Sequence, residues 1–235
     1  GDAVIAVSDT IKTYIRQNYP EVDDRRVHLI YRGIDHQQFP HRYQPTNEWL
    51  HRWYQQYPEL KSRFVVTLPG RLSRQKGHEE FLTVIARAVN EGLSVSGVVV
   101  GDIARKNDYA KALKTTVEQH KLPITFCGHR KDIREVYAVS DVVLSLAAKP
   151  ESFGRTVLEP LSLGVPVIGY DHGGVGEILK TVFPQGAVKP HDLETVHEVL
   201  ARFHAAPPKV PKSDAFPIET MQSKTLALYE SLTAR

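Results

Sequence analysis

Pro150-Glu151-Ser152-Phe153-Gly154-Arg155-Thr156-Val157-Leu158-Glu159-Pro160 is the densest stretch of this chain, and it runs straight into Leu163-Gly164-Val165-Pro166-Val167-Ile168-Gly169. Two carboxylates, Glu151 and Glu159, flank the Phe153-Gly154 turn. A loop that ends in a glycine and turns into a short helix offers free backbone N–H groups and the positive end of a helix dipole, which suit a phosphate or a sugar hydroxyl. The two glutamates then reach different parts of one ligand. The apolar run from Val165 to Gly169 reads as a buried strand, so this stretch is one helix-and-strand step of a repeating pattern.

Working outward, the same step recurs. Val27 to Tyr31, Phe64 to Leu68, Val95 to Val100, Ile124 to Cys127 and Val142 to Leu146 read as further buried strands rich in β-branched residues. Between them lie helical segments at Glu79 to Asn90, Asp108 to Lys121, Ile133 to Val139, Thr156 to Leu163 and Val175 to Lys180. Strand followed by helix, repeated, implies right-handed crossovers and an α/β fold: a Rossmann-like parallel sheet with helices on both faces. Ligands of such sheets bind beyond the carboxyl ends of the strands. Residues 8–18, with Ser8 as N-cap, read as a helix ahead of the repeat. Residues 41–63, carrying Trp49, Trp53, Tyr54 and Tyr57, read as a packed helical insertion. Pro207, Pro208, Pro211 and Pro217 mark an irregular link to a final helix near Glu219–Leu232.

The bulk properties bound the function. A chain of 235 residues with 41% hydrophobic composition buries a substantial core. A net charge of +3 without a clustered basic face argues against nucleic acid as a partner. A lone Cys127 permits no intrachain disulfide and reads as packing in a reducing compartment. No apolar run is long enough to cross a bilayer. The expected location is the cytoplasm. The opening Gly1-Asp2-Ala3-Val4 enters a strand-like run almost at once, so the chain reads as the later part of a longer protein.

The strand ends carry the candidate chemistry. After the Phe64 strand, Gly70 permits a tight exit, Arg71 offers a planar fork of donors and Lys76 a mobile point charge; both cations suit diphosphate oxygens. Gly101-Asp102 follows the Val95 strand and doubles as an ordinary turn. Gly128-His129 turns the chain before a helix that Asp132 is placed to cap, and a nucleobase fits against that turn. Gly173-Gly174 follows the last of these strands.

Taken together, Arg32-Gly33-Ile34-Asp35, Gly70-Arg71 with Lys76-Gly77, Gly101-Asp102, Gly128, and Glu151-Ser152-Phe153-Gly154 through Glu159 to Gly164-Val165-Pro166-Val167 resemble the C-terminal, donor-binding domain of the group 1 family of retaining GT-B glycosyltransferases. The resemblance implies that residues 1–33 end an N-terminal acceptor domain and its linker, and that 34–235 form the nucleotide-sugar domain. It implies that Arg71 and Lys76 hold a diphosphate and that Glu151 lies by the transferred sugar, these three forming the catalytic set. Glu159 is expected to bind the ribose. Gly70, Gly128, His129, Ser152, Phe153, Gly154, Arg155 and Thr156 are expected to contact the donor, Arg155 with a further reach toward the sugar. No metal and no cofactor are expected, because side chains supply the positive charge. The partners implied are a nucleotide-diphosphate sugar with uridine or guanosine, the N-terminal domain, and an acceptor in a cell-envelope glycan or glycolipid at the inner face of the membrane. Pro160 departs from the family pattern; inside a helix it removes an N–H, so the helix is expected to start later or bend, which unsettles the aim of Glu159.

Rival readings are a nucleotide-sugar epimerase, a phosphorylase and a non-catalytic nucleotide-sugar binding module. A dehydrogenase lacks its G-x-G-x-x-G after a first strand. A glycosidase would need its two carboxylates flanking a scissile bond as acid and nucleophile.

Overall fold

Strands covered on both faces carry near-continuous apolar runs, and this chain has them at regular intervals. The computed structural model describes residues 1–102 and 108–234. Its elements run β1 (Val4–Ala6), α1 (Asp9–Asn18), β2 (Val27–Leu29), α2 (Asn47–Gln56), β3 (Phe64–Pro69), α3 (His78–Asn90), β4 (Val95–Val100), α4 (Asp108–Gln119), β5 (Ile124–Gly128), α5 (Ile133–Ala138), β6 (Val142–Ser145), α6 (Arg155–Leu163), β7 (Val167–Tyr170), α7 (Gly173–Val182), β8 (Ala187–Val188), α8 (Leu193–Ala205) and α9 (Ile218–Thr233). The last six strands form one parallel sheet in the order β5-β4-β3-β6-β7-β8. Val66, Val98, Val142, Val143, Leu144, Val167 and Ile168 in it are wholly buried.

Strand order reverses between β3 and β6, and with right-handed crossovers that reversal puts the two sets of helices on opposite faces. One layer joins α4, α3 and α8; the other joins α5, α6 and α7. In sheets with such a reversal, ligands bind beyond the carboxyl ends of the strands. Glycines let the chain segments there close up. A Cβ on Gly101 would come 1.8 Å from the Gly70 carbonyl oxygen, and one on Gly77 would come 2.0 Å from that of Leu146. Neither approach leaves room for a side chain, so the exits of β3, β4 and β6 lie against one another.

The predicted elements are found within a few residues of their expected bounds. At the start, β2 stops at Leu29 and pairs with β1 in a separate two-stranded parallel sheet. This small unit is tied to α7 by Glu177, whose carboxylate accepts from Asp9 N–H at 3.0 Å, Thr10 N–H at 2.8 Å and the Tyr31 hydroxyl at 2.9 Å. Two elements extend the sequence reading. β8 is two residues long, too short for periodicity to mark. α8 does carry its signal: Asp192 accepts from Thr195 N–H at 3.0 Å, and buried Val196, Val199, Leu200 and Phe203 recur at helical spacing. Cys127 lies on β5 with its thiol pushed up to about 11, mainly by burial, so it packs rather than reacts.

α6 corrects one expectation. It begins at Arg155 and includes Pro160. The helix does not start later, because the missing Pro160 N–H costs one hydrogen bond while the end is secured: Val165 N–H donates to the Pro160 carbonyl at 2.9 Å, and Gly164, at φ 88°, closes the turn.

Candidate functional site

A cleft of about 370 Å³ opens at the carboxyl ends of β3, β4 and β5, between those strand exits and the starts of α5 and α6. Gly70, Arg71, Asp102, His129, Arg130, Ile133, Tyr137, Arg155, Thr156 and Glu159 line it. Six of the residues expected from sequence thus share one cavity: Gly70, Arg71, His129, Arg155, Thr156 and Glu159. A second cavity of about 210 Å³, between residues 32–39 and the start of α9, meets the first at Arg155 and Glu159.

The cations come from the segment after β3. Gly70, at φ 144°, turns the chain so that Arg71 faces the cleft. Arg71 is exposed and has no ion-pair partner among the described residues. Lys76 closes a single 3-10 turn, Arg74–Lys76, and Gly77 at φ 72° starts α3 behind it. Its stem passes Gly70, whose added Cβ would lie 3.4 Å from Lys76 Cδ. Lys76 and Glu151 are not among the walls of the cleft; they lie next to it and pair with each other, Nζ to Oε1 at 2.7 Å, with 27% and 21% of their side chains exposed. The two groups expected at the phosphate and at the sugar are therefore in direct contact.

The turn between the glutamates is held from beneath. Gly174 N–H donates to the Glu151 carbonyl at 2.8 Å, and a Cβ on Gly174 would lie 2.2 Å from the Phe153 carbonyl oxygen. Phe153 is 4% exposed, with its ring 5.7 Å from that of Phe216. Its side chain thus belongs to the core, and only its backbone faces any ligand. Ser152 is exposed and is not a wall of the cleft. Gly154 at φ 108° is the N-cap of α6 and supplies no side-chain cap. Val157 and Leu158 N–H turn back to its carbonyl at 3.0 and 3.1 Å. The N–H groups of Arg155 and Thr156 have no intrahelical acceptor at the positive end of the helix.

Glu159 is 7% exposed and its carboxyl is raised above the ordinary 4.5, by burial first and against the pull of Arg155. Arg155 Nη2 holds Oε1 at 2.7 Å from a side chain that is 71% exposed. In this state Arg155 points at Glu159. Beside them Tyr137 is fully buried and keeps its phenol proton far past the usual range, through burial and then the Glu159 charge. The floor of the cleft is thus a phenol and a carboxylate with one open edge.

Gly128, at φ 66°, is not itself a wall; it turns β5 so that His129 and Arg130 are, and Gly101 N–H donates to its carbonyl at 3.0 Å. Asp132 caps no backbone N–H of α5 with its side chain; it holds Arg130 and Trp49 instead. Sequence reasoning did not single out Arg130, Ile133 and Tyr137 as site residues. Ile133 and Tyr137 stand four apart, on one face of α5, and that spacing beside a strand end is the available signal.

The chain resembles known proteins across most of its length. It is 32% identical over 186 residues to a GDP-mannose-dependent alpha-mannosyltransferase of Mycobacterium tuberculosis, covering 77% of this chain and 40% of that protein. It is 28% identical over 185 residues to spore coat protein SA of Bacillus subtilis, covering 75% and 48%. The chain thus spans half or less of the length of these relatives. Among solved structures it superposes on a glycosyltransferase from Rickettsia africae with a TM-score of 0.86 at 24% identity, covering 99% of this chain and 64% of that one. It superposes on Anabaena Alr3699/HepE, solved with UDP and glucose, with a TM-score of 0.85 at 23% identity, covering 98% and 64%. These two likenesses concern the fold, which is the Rossmann-like C-terminal unit of GT-B enzymes. The family model described as "Glycosyl transferases group 1" matches residues 51–214, well over half of the chain and the whole of the cleft beyond residue 50, and the chain belongs to that family.

Proposed function

We propose that this chain is the donor-binding part of a retaining glycosyltransferase, and that its cleft holds a nucleotide-diphosphate sugar. The observation that carries the reading is the convergence of Arg71, the open N–H groups of α6 and buried Glu159 on one cleft at the carboxyl ends of β3, β4 and β5. Donors and cations in a row suit a diphosphate, and a buried carboxylate suits ribose hydroxyls. Glu151 then lies on the sugar side, next to Lys76. Positive charge from Arg71, Lys76 and the helix end stabilises the departing diphosphate, so the reaction requires no divalent metal.

Residues 1–33 are read as the end of an acceptor domain with its linker, and 34–235 as the donor domain. Transfer of the hexosyl group needs both, so this chain alone binds donor without turning it over. The acceptor is read as a cell-envelope glycan or glycolipid reached from the cytoplasmic face of the membrane. Supporting relatives include a spore coat protein and a phosphatidylinositol N-acetylglucosaminyltransferase subunit from Saccharomyces cerevisiae. No helix among the described residues is long and apolar enough to cross a membrane. The nucleotide is read as uridine or guanosine diphosphate.

A thermal-shift panel tests this. Uridine or guanosine diphosphate, or its sugar, should raise the melting temperature with a concentration dependence set by its affinity: about 2.7 kcal/mol of stabilisation at a hundred times the dissociation constant. No response to any nucleotide diphosphate would overturn the reading.

A further inference from the structure

The end of the cleft beyond Gly128 is walled by a side chain that the diphosphate and ribose contacts leave unused. Arg130 lines the cleft and is fixed on two sides. Its Nε donates to Asp132 Oδ1 at 2.8 Å and its Nη2 to Oδ2 at 2.6 Å. Its guanidinium carbon lies 5.4 Å from the centre of the Trp53 ring. Asp132 is held in turn by Trp49, whose Nε1 donates to Oδ2 at 2.8 Å. Trp49 and Trp53, one turn apart on α2, stack with centroids 5.1 Å apart and planes 14° apart, and both are at least nine-tenths buried. A helix from outside the main sheet thus reaches over the β5–α5 turn and immobilises one arginine.

An arginine already paired and stacked loses little side-chain freedom on meeting a ligand, so its remaining donors bind at small entropic cost. Two of its N–H groups are taken by Asp132; Nη1, which carries two more, has no partner among the described residues. These donors offer no acceptor in return.

We propose that Arg130, held by Asp132 and by the Trp49–Trp53 stack of α2, sets the nucleobase preference of the cleft in favour of a base presenting a carbonyl oxygen, uracil or guanine, over one presenting an exocyclic amine, cytosine or adenine. The assignment rests on the nucleotide-sugar reading above. Uracil O4, or guanine O6 with N7, accepts from a guanidinium; the cytosine or adenine amino group sets donor against donor and leaves both unpaired. The exposed His129 imidazole and the apolar Ile133 do not reverse that bias. Asp132, Trp49 and Trp53 act through Arg130 and are positioning residues.

The test is isothermal titration of the full chain with UDP, CDP, GDP and ADP. The wild type should bind UDP at least about 5-fold more tightly than CDP, or GDP at least about 5-fold more tightly than ADP, with about 150-fold as the upper bound for one good base contact. Which pair shows the preference separates uracil from guanine. In Arg130→Ala the ratio should fall toward one. Trp53→Leu and Asp132→Asn should lower the ratio too, while Trp53→Phe, which keeps a stacking face, should restore it. Asp132→Asn covers the case in which Trp53→Leu fails to fold. An unchanged ratio in Arg130→Ala overturns the assignment while the nucleotide site stands. Equal losses for all four nucleotides in Asp132→Asn, with the ratio intact, overturn the positioning role. Binding of none of the four removes the nucleotide reading and this assignment with it.

Discussion

Replacing Lys76 with alanine should weaken the binding of a nucleoside diphosphate about 10- to 150-fold, the equivalent of ~1.5–3 kcal/mol for one charge-assisted contact. The effect has two parts. The cation proposed to meet the phosphates is lost, and Glu151 loses the partner now held at 2.7 Å, leaving a largely buried carboxylate beside an anionic ligand. The same pair predicts an opposite sign for its other member. Glu151 competes with phosphate for Lys76, so Glu151→Gln should tighten diphosphate binding a few-fold. Calorimetric titration of the variants against the wild type reads both changes. Equal affinity in Lys76→Ala would remove Lys76 from the site, and weaker diphosphate binding in Glu151→Gln would show that the pair does not restrain the lysine.

Glu159→Gln should separate stability from function. Burial raises the Glu159 carboxyl, and Arg155, 71% exposed, offsets only part of that cost. The sign follows from linkage: a carboxyl raised in the folded state contributes stability that is complete below its unfolded value, near 4.5, and lost as pH rises through the folded value. At neutral pH the ionised group therefore opposes folding, as buried functional groups commonly do. The glutamine variant should melt roughly 2–4 °C higher than wild type at pH 7–8, the shift that ~1 kcal/mol makes in a domain of this size. The difference should shrink toward zero below about pH 4. Nucleoside diphosphate affinity should fall about tenfold or more, because a charged acceptor of ribose hydroxyls has gone. A lower melting temperature at pH 7 together with unchanged affinity would make Glu159 a structural group.

Much of this was legible in the chain, and for identifiable reasons. Most strands of the parallel sheet are buried on both faces, so their apolar runs stand out against polar helices, and Gly70, Gly101 and Gly128 mark the exits of β3, β4 and β5. Arg71 follows Gly70 directly, and Thr156 and Glu159 stand in the first turns of the helix that Gly154 opens, which is why their meeting in one cleft was foreseeable. The Lys76–Glu151 pair was not, since it joins segments 75 residues apart and depends on side-chain reach. Phe153 was readable as part of a turn, but its ring packs on Phe216, which comes from within the proline-rich link. Arg130 and Tyr137 escaped because their meaning comes from neighbours: Trp49 and Trp53 on an inserted helix for one, and the adjacent Glu159 carboxylate for the other. Pro160 looked disruptive on local rules, yet a helix that needs only one turn beyond it absorbs the missing donor.

In the proposed arrangement one cleft holds phosphate, ribose and base in that order from Arg71 through Glu159 to Arg130. A crystal structure of this chain grown with uridine or guanosine diphosphate tests it most directly. Diphosphate oxygens are expected on Arg71, Lys76 and the Arg155 and Thr156 N–H groups, ribose hydroxyls on Glu159, and Lys76 is expected to be released from Glu151. A nucleotide bound elsewhere, or one in the cleft with Glu159 and Lys76 untouched, would contradict it.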